Sequence, residues 1–185
     1  MDISLIVIIA IVAILGIYLW STYNGLVTLN VRVDEAWSDI TVQLKRRADL
    51  IPNLIETVKG YAAHEQSTFD AVVSARAKST SASTVGEVAA ADGALTNALR
   101  GLLAVAEAYP DLKASTNFLS LQEELSTTEN KVSFARQFYN DNVRELNTAV
   151  KTVPSSFFAG FAKVSEREFY EVEDPQDRKA PGVNF

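Results

Sequence analysis

"LVTLNVRVDEAWSDITVQLKRRADLIPNLIETVKGY" runs from Leu26 to Tyr61. Within it Leu26, Asn30, Val33, Trp37, Ile40, Leu44, Arg47, Ile51, Leu54, Val58 and Tyr61 follow one another at alternating steps of four and three. That spacing keeps side chains on one face of a helix and makes the seam of packed helices. A strand would alternate with a period of two, and no long alternating run of branched residues occurs in the chain. Arg47 stands on the apolar stripe, so it is expected to be partly buried, and an unpaired buried charge costs several kcal/mol. Pro52 stands beside the stripe, removes one backbone donor and crowds the Ala48 carbonyl. A bend or short break is expected there, with Asp49 as a local cap for the freed amides.

The same periodicity recurs downstream. A short stripe comprises Phe69, Val72, Val73 and Arg76, and "STSASTVGE" (79–87) then reads as a polar loop. A third stripe passes through Val88, Ala91, Leu95, Ala98, Leu102, Val105 and Tyr109, where Pro110 stops it. The fourth runs from Phe118 through Leu121, Leu125, Thr128, Val132, Ala135, Tyr139, Asn142, Leu146 and Ala149 to Val153, and Pro154 closes it. Amphipathic helices of this kind bury their stripes only against each other, which predicts an all-α antiparallel up-and-down four-helix bundle. Counting down the first helix and back up the fourth sets Arg47 level with Val132, one turn from Glu129. An Arg47–Glu129 pair is the expected solution. Trp37 and Asn142 are further stripe positions with an interaction or register role, and Arg46 is free for phosphate or anionic lipid.

Ahead of this body, "ISLIVIIAIVAILGIYLW" (3–20) carries no charge. As a helix it spans roughly 27 Å, enough for a bilayer. Tyr18, Trp20 and Tyr23 collect at one end like an interfacial belt. Only Asp2 precedes the run and no Ala-x-Ala follows it, which favours an uncleaved single-pass anchor over a signal peptide. Arg32, Lys45, Arg46 and Arg47 lie behind the span and no Lys or Arg lies before it, so the N-terminus is expected outside and the bulk in the cytoplasm. Residues 1–23 are then the exterior N-terminus and transmembrane helix, 24–154 the bundle, and 155–185 an amphipathic segment and irregular tail. Phe157, Phe158 and Phe161 either meet the membrane surface or dock on the open end of the bundle. Val183 and Phe185 offer an apolar end that a partner's groove could capture.

Composition narrows the chemistry. The 185 residues include no cysteine and one histidine, and the net charge is −6. Disulfides and thiol chemistry are excluded, and nucleic acid is not an expected partner. His64-Glu65 opens H-E-x-x-H, but Gln66-Ser67-Thr68 follows, so the second ligand of a zinc site is missing. With one histidine and no cysteine, neither a Cys-His nor a Ser-His-Asp system is expected, no phosphate loop is present, and the paired Glu-x-x-His units of bundle metal sites are missing. No catalytic residue, cofactor or metal ligand is predicted.

"VDEAWSDITVQLKRRADLIPNLIETVKGYAAHE", "AYPDLKASTNFLSLQEELSTTENKVSFARQFYNDNVRELNTAVKTVPSSFFAGF" and "EREFYEVEDPQDRKAPGVNF" resemble the LemA family over nearly the whole chain. That resemblance implies a bacterial inner-membrane protein with a short exterior N-terminus, one membrane helix and a cytoplasmic helical bundle, without established catalytic residues. It also implies an envelope setting in which membrane metalloproteases are frequent neighbours. The expected function is a non-enzymatic, membrane-anchored scaffold that contacts the lipid bilayer and forms a homo-oligomer. The alternative is an accessory or adaptor subunit of a membrane protease or transporter, and a hydrolase with an unrecognised site is the third.

Overall fold

The computed structural model describes residues 3–171. The described chain is all-α, with helical segments α1 (Ile3–Lys59), α2 (Gln66–Ser81), α3 (Val85–Glu107), α4 (Pro110–Lys113), α5 (Thr116–Lys151) and α6 (Ser156–Ala159). It divides into two units. Among the described residues, one comprises residues 3–38 with Gln137–Glu168, and the other comprises Asp39–Arg136 with residues 169–171. The tail candidates Val183 and Phe185 lie outside the described residues.

In the first unit, α1 is the one described helix long and apolar enough to cross a membrane, with a mean hydropathy of 2.9 over its best window. Helical structure passes through Gly25 without interruption. Beyond it Leu26, Val33 and Ala36 are buried, together with Tyr139, Val143 and Leu146 of α5 and Ala159 and Val164. Trp37 meets Tyr139 at a ring separation of 5.5 Å. Arg167 reaches Asn30 and Asp34 on α1 while Asn147 of α5 holds its backbone. Going back along α1 from 37 to 30 therefore corresponds to going forward along α5 from 139 to 147, and the two helices run antiparallel here. The irregular segment after Val164 is tied down by side chains. The Asn147 amide accepts from the Arg167 N–H at 2.8 Å and donates to its carbonyl at 2.9 Å, and Tyr139 Oη donates to the Glu168 carbonyl at 2.8 Å. These bonds satisfy backbone groups that no neighbouring strand serves.

The second unit has one hydrophobic core fed by five helices: Ile51, Leu54 and Val58 from α1, Phe69 and Val72 from α2, Leu95, Leu99 and Leu102 from α3, Leu112 from α4, and Phe118 and Leu125 from α5. Each such side chain contributes about 1.5–3 kcal/mol by burial. α1 and α2 are antiparallel, since Ala48 meets Arg76 while Lys59 lies over the Phe69 ring. Pro110 occupies the first turn of α4, where its missing N–H has no consequence.

Several expectations change. The loop over 79–87 shrinks to the three residues between α2 and α3, because Thr84 and Glu87 form a reciprocal capping box that starts α3 early. The Ser83 and Thr84 amides bonding the Glu87 carboxylate hold it below the usual carboxylate range. Tyr61, Val73 and Val153 drop off their stripes and are exposed, Tyr61 because α1 ends at Lys59 and Ala62 takes the inward position.

The break expected at Pro52 does not occur, and α1 is assigned as helix throughout. No amides are freed, and Asp49 is exposed rather than capping. What Pro52 does orphan is the Ala48 carbonyl, which would bond the N–H of residue 52. Arg76 of α2 supplies the donor instead, its Nε lying 2.8 Å from that oxygen. The substitution Arg76→Ala is expected to lower the unfolding free energy by about 1–2 kcal/mol in urea titration. In a Pro52→Ala background the helix restores its own bond, so the loss should shrink. Equal losses in both backgrounds would mean that Arg76 does not act through the Ala48 carbonyl.

Candidate functional site

The strongest polar constellation lies inside the second unit. The stripe of α1 carries Arg47 inward until it is 4% exposed, and α3 brings up Asp92 at 2%. Arg47 Nη1 donates to Asp92 Oδ1 at 2.7 Å. Arg47 Nη2 donates to Thr96 Oγ1, one turn further along α3, at 3.0 Å. The same nitrogen lies 2.9 Å from Glu129 Oε2 of α5. That oxygen is buried and accepts no hydrogen bond, so Glu129 compensates charge without the alignment that makes the Asp92 bond.

Asp92 has a second set of neighbours. Its Oδ2 accepts from Tyr170 Oη at 3.1 Å and faces Arg136 Nη1 at 3.8 Å. The Arg136 guanidinium in turn covers the Tyr170 ring at 5.8 Å, a cation–π contact. Two guanidinium groups and two carboxylates thus balance each other. Burial pushes the Tyr170 phenol well above its ordinary value, and the Asp92 charge and hydrogen bond push it further. The phenol stays neutral and serves as a donor. Within the cluster the Arg47 terminal nitrogens and both Asp92 oxygens are engaged by the protein itself. Among the described residues no three His, Asp or Glu side chains are placed to hold a metal ion.

Of the residues singled out from sequence, only Arg47 and Glu129 meet. Arg46 makes an exposed pair with Glu124 at 2.9 Å, which is worth at most about 1 kcal/mol. Trp37 stacks on Tyr139. Asn142 is buried, but its amide donates to the Phe138 carbonyl of its own helix at 2.7 Å. Pro52 and Asp49 act as described above. Phe158 is half-buried, whereas Phe157 and Phe161 are exposed, and α6 is a single turn rather than an amphipathic helix. His64 is exposed in the turn between α1 and α2.

Sequence reasoning missed Asp92, Thr96, Arg136 and Tyr170. A signal for Asp92 exists: Val88, Asp92, Leu95, Leu99 and Leu102 obey the four–three spacing as well as the stripe drawn through Ala91 and Ala98 does. Tyr170 lies on irregular chain, where no periodicity marks it.

Removing one member of a buried pair strands the other. Arg47→Met should lower stability by about 3–5 kcal/mol in denaturant unfolding. The phenol also sets a pH dependence. Its folded pKa is raised above the ordinary 10.0, so its contribution is complete below that pH. It is lost as pH rises further, where the unfolded chain ionises Tyr170 and the folded chain does not. Tyr170→Phe should therefore flatten the fall of unfolding free energy above pH 10, and an unchanged slope would contradict this role for the phenol.

A family model described as the LemA family matches residues 36–185. Magnetosome protein MamQ of Magnetospirillum gryphiswaldense is 25% identical over 171 residues, covering 77% of this chain and 63% of that protein. Magnetosome proteins MamQ 1 and MamQ 2 of Paramagnetospirillum magneticum are each 23% identical over 181 residues, covering 84% of this chain. The chain spans 63–66% of the length of these curated relatives. The family match extends over most of the chain, including all the residues of the buried ionic cluster, and on it the chain belongs to the LemA family.

Proposed function

We propose that this protein is a non-enzymatic, membrane-anchored scaffold that self-associates. Residues 1–23 form the exterior N-terminus and anchor, 24–154 the cytoplasmic four-helix bundle, and 155–185 the C-terminal segment and tail. The observation that carries the reading is the continuity of α1. Its apolar, exposed run passes without a break into the buried face at Leu26, Val33 and Ala36. An N-out orientation at the bacterial inner membrane follows from the Lys and Arg residues behind the span. The buried, charge-balanced cluster supports a structural role for these residues.

Self-association rests on a different feature. Phe134, on the part of α5 in the second unit, is 72% exposed. A large aromatic side chain turned outward is open to a contact, and anchoring in a plane raises the effective concentration of like faces. Detergent-solubilised protein sized by light scattering should be oligomeric, and Phe134→Ser should reduce it to a monomer. A strictly monomeric wild type would contradict self-association.

A further inference from the structure

We propose that the turn formed by residues 153–163 is a second membrane contact, inserting Val153, Phe157 and Phe161 into the interfacial layer beside the point where α1 leaves the bilayer. The inference rests on the reading of residues 3–20 as a membrane span. Its grounds are positional and lie within the first unit. Trp37 stacks on Tyr139. Fourteen residues back along α1 is Tyr23, and fourteen forward along the antiparallel α5 direction is Val153. The Arg167 bridge gives an independent register, since Asn30 and Asn147 both engage that residue. Six residues back and six forward from it reach Asn24 and Val153. Both routes set the end of α5 level with Tyr23 and Asn24, where the aromatic end of the apolar run lies.

The chain then turns and comes back to Arg167, so residues 153–163 form the tip of this unit on the membrane side. At this tip Val153 is 73% exposed, Phe157 69% and Phe161 82%. Three large apolar side chains turned outward at one end of a helix pair call for a non-aqueous neighbour, and the level of the span identifies that neighbour as the lipid surface. The backbone is prepared for it. Ser155 Oγ donates to the carbonyls of Ala149 at 2.6 Å and Thr152 at 3.0 Å, which reduces the unsatisfied groups at the end of α5 near a low-dielectric layer. Exposed Lys163 in the same turn suits anionic headgroups.

The absence of cysteine permits clean single-site labelling of the full chain. Phe161→Cys, Ile11→Cys in the span and Ser126→Cys on the exposed side of α5 would each carry an NBD fluorophore. They would be reconstituted in vesicles of phosphatidylethanolamine and phosphatidylglycerol containing doxyl-labelled lipid. The expected result is blue-shifted emission and lipid quenching at 161, as at 11, with none at 126. The proposal is overturned if 161 behaves like 126 while 11 is quenched. It is also overturned if the label at 161 is blue-shifted in detergent yet escapes lipid quenching, because a protein surface would then cover it. Loss of quenching at 11 would defeat the anchor reading, and this inference with it. In a second variant, Val153→Cys labelled in a Phe157→Ser and Phe161→Ser background should lose its quenching. Full retention there would show that the phenylalanines do not hold the turn at the lipid.

Discussion

A guanidinium taken out of water must meet a carboxylate, and the second unit is organised around the place where Arg47 does so. The desolvation penalty of each ion is several kcal/mol, and attraction offsets it only when geometry and hydrogen bonding are good. Asp92 meets that condition at 2.7 Å with both groups almost fully buried. The pair fixes α1 against α3, and Glu129 brings α5 to the same point. Tyr170 and Arg136 complete the carboxylate's surroundings from the C-terminal segment and from α5. Apolar packing alone tolerates small shifts of one helix along another, whereas a buried ion pair does not, and the cluster therefore sets register where Leu and Val set only proximity.

The cost of leaving a buried backbone group without a partner explains two other unusual features. Pro52 orphans one carbonyl in the middle of a helix, and Arg76 reaches across from α2 to serve it. The irregular segment after Val164 has no strand beside it, and the Asn147 amide serves the N–H and the carbonyl of Arg167 together. In each case a side chain from a second element supplies what the local backbone lacks. Removing it would disturb two elements at once.

Much of this was legible in the sequence. The long stripes of α1 and α5 repeat often enough to fix their phase, and counting along them was sufficient to bring Arg47 to Glu129. The stripe of α3 is ambiguous because Ala91 and Ala98 are small enough to face either way, so the phase containing Asp92 was overlooked. Arg76 was placed on an apolar stripe, but a side chain that spans from one helix to the next leaves no periodic trace of its target. Tyr170 escaped because irregular chain held by side-chain bonds carries no pattern at all. The capping box at Thr84 was written plainly in T-x-x-E and was hidden only by the polar composition around it.

The structure directs attention to attachment. Its well-built polar site is internal and neutral overall, and its exposed apolar side chains lie outside the core. The central claim is that the Arg47–Asp92 pair, rather than either residue separately, holds α1 to α3. A double-mutant cycle with Arg47→Met, Asp92→Leu and the combined variant, measured by denaturant unfolding of the detergent-solubilised chain, tests it directly. The account predicts that the double variant is more stable than the sum of the single losses implies, with a coupling of about 2 kcal/mol or more. Losses that simply add would contradict it.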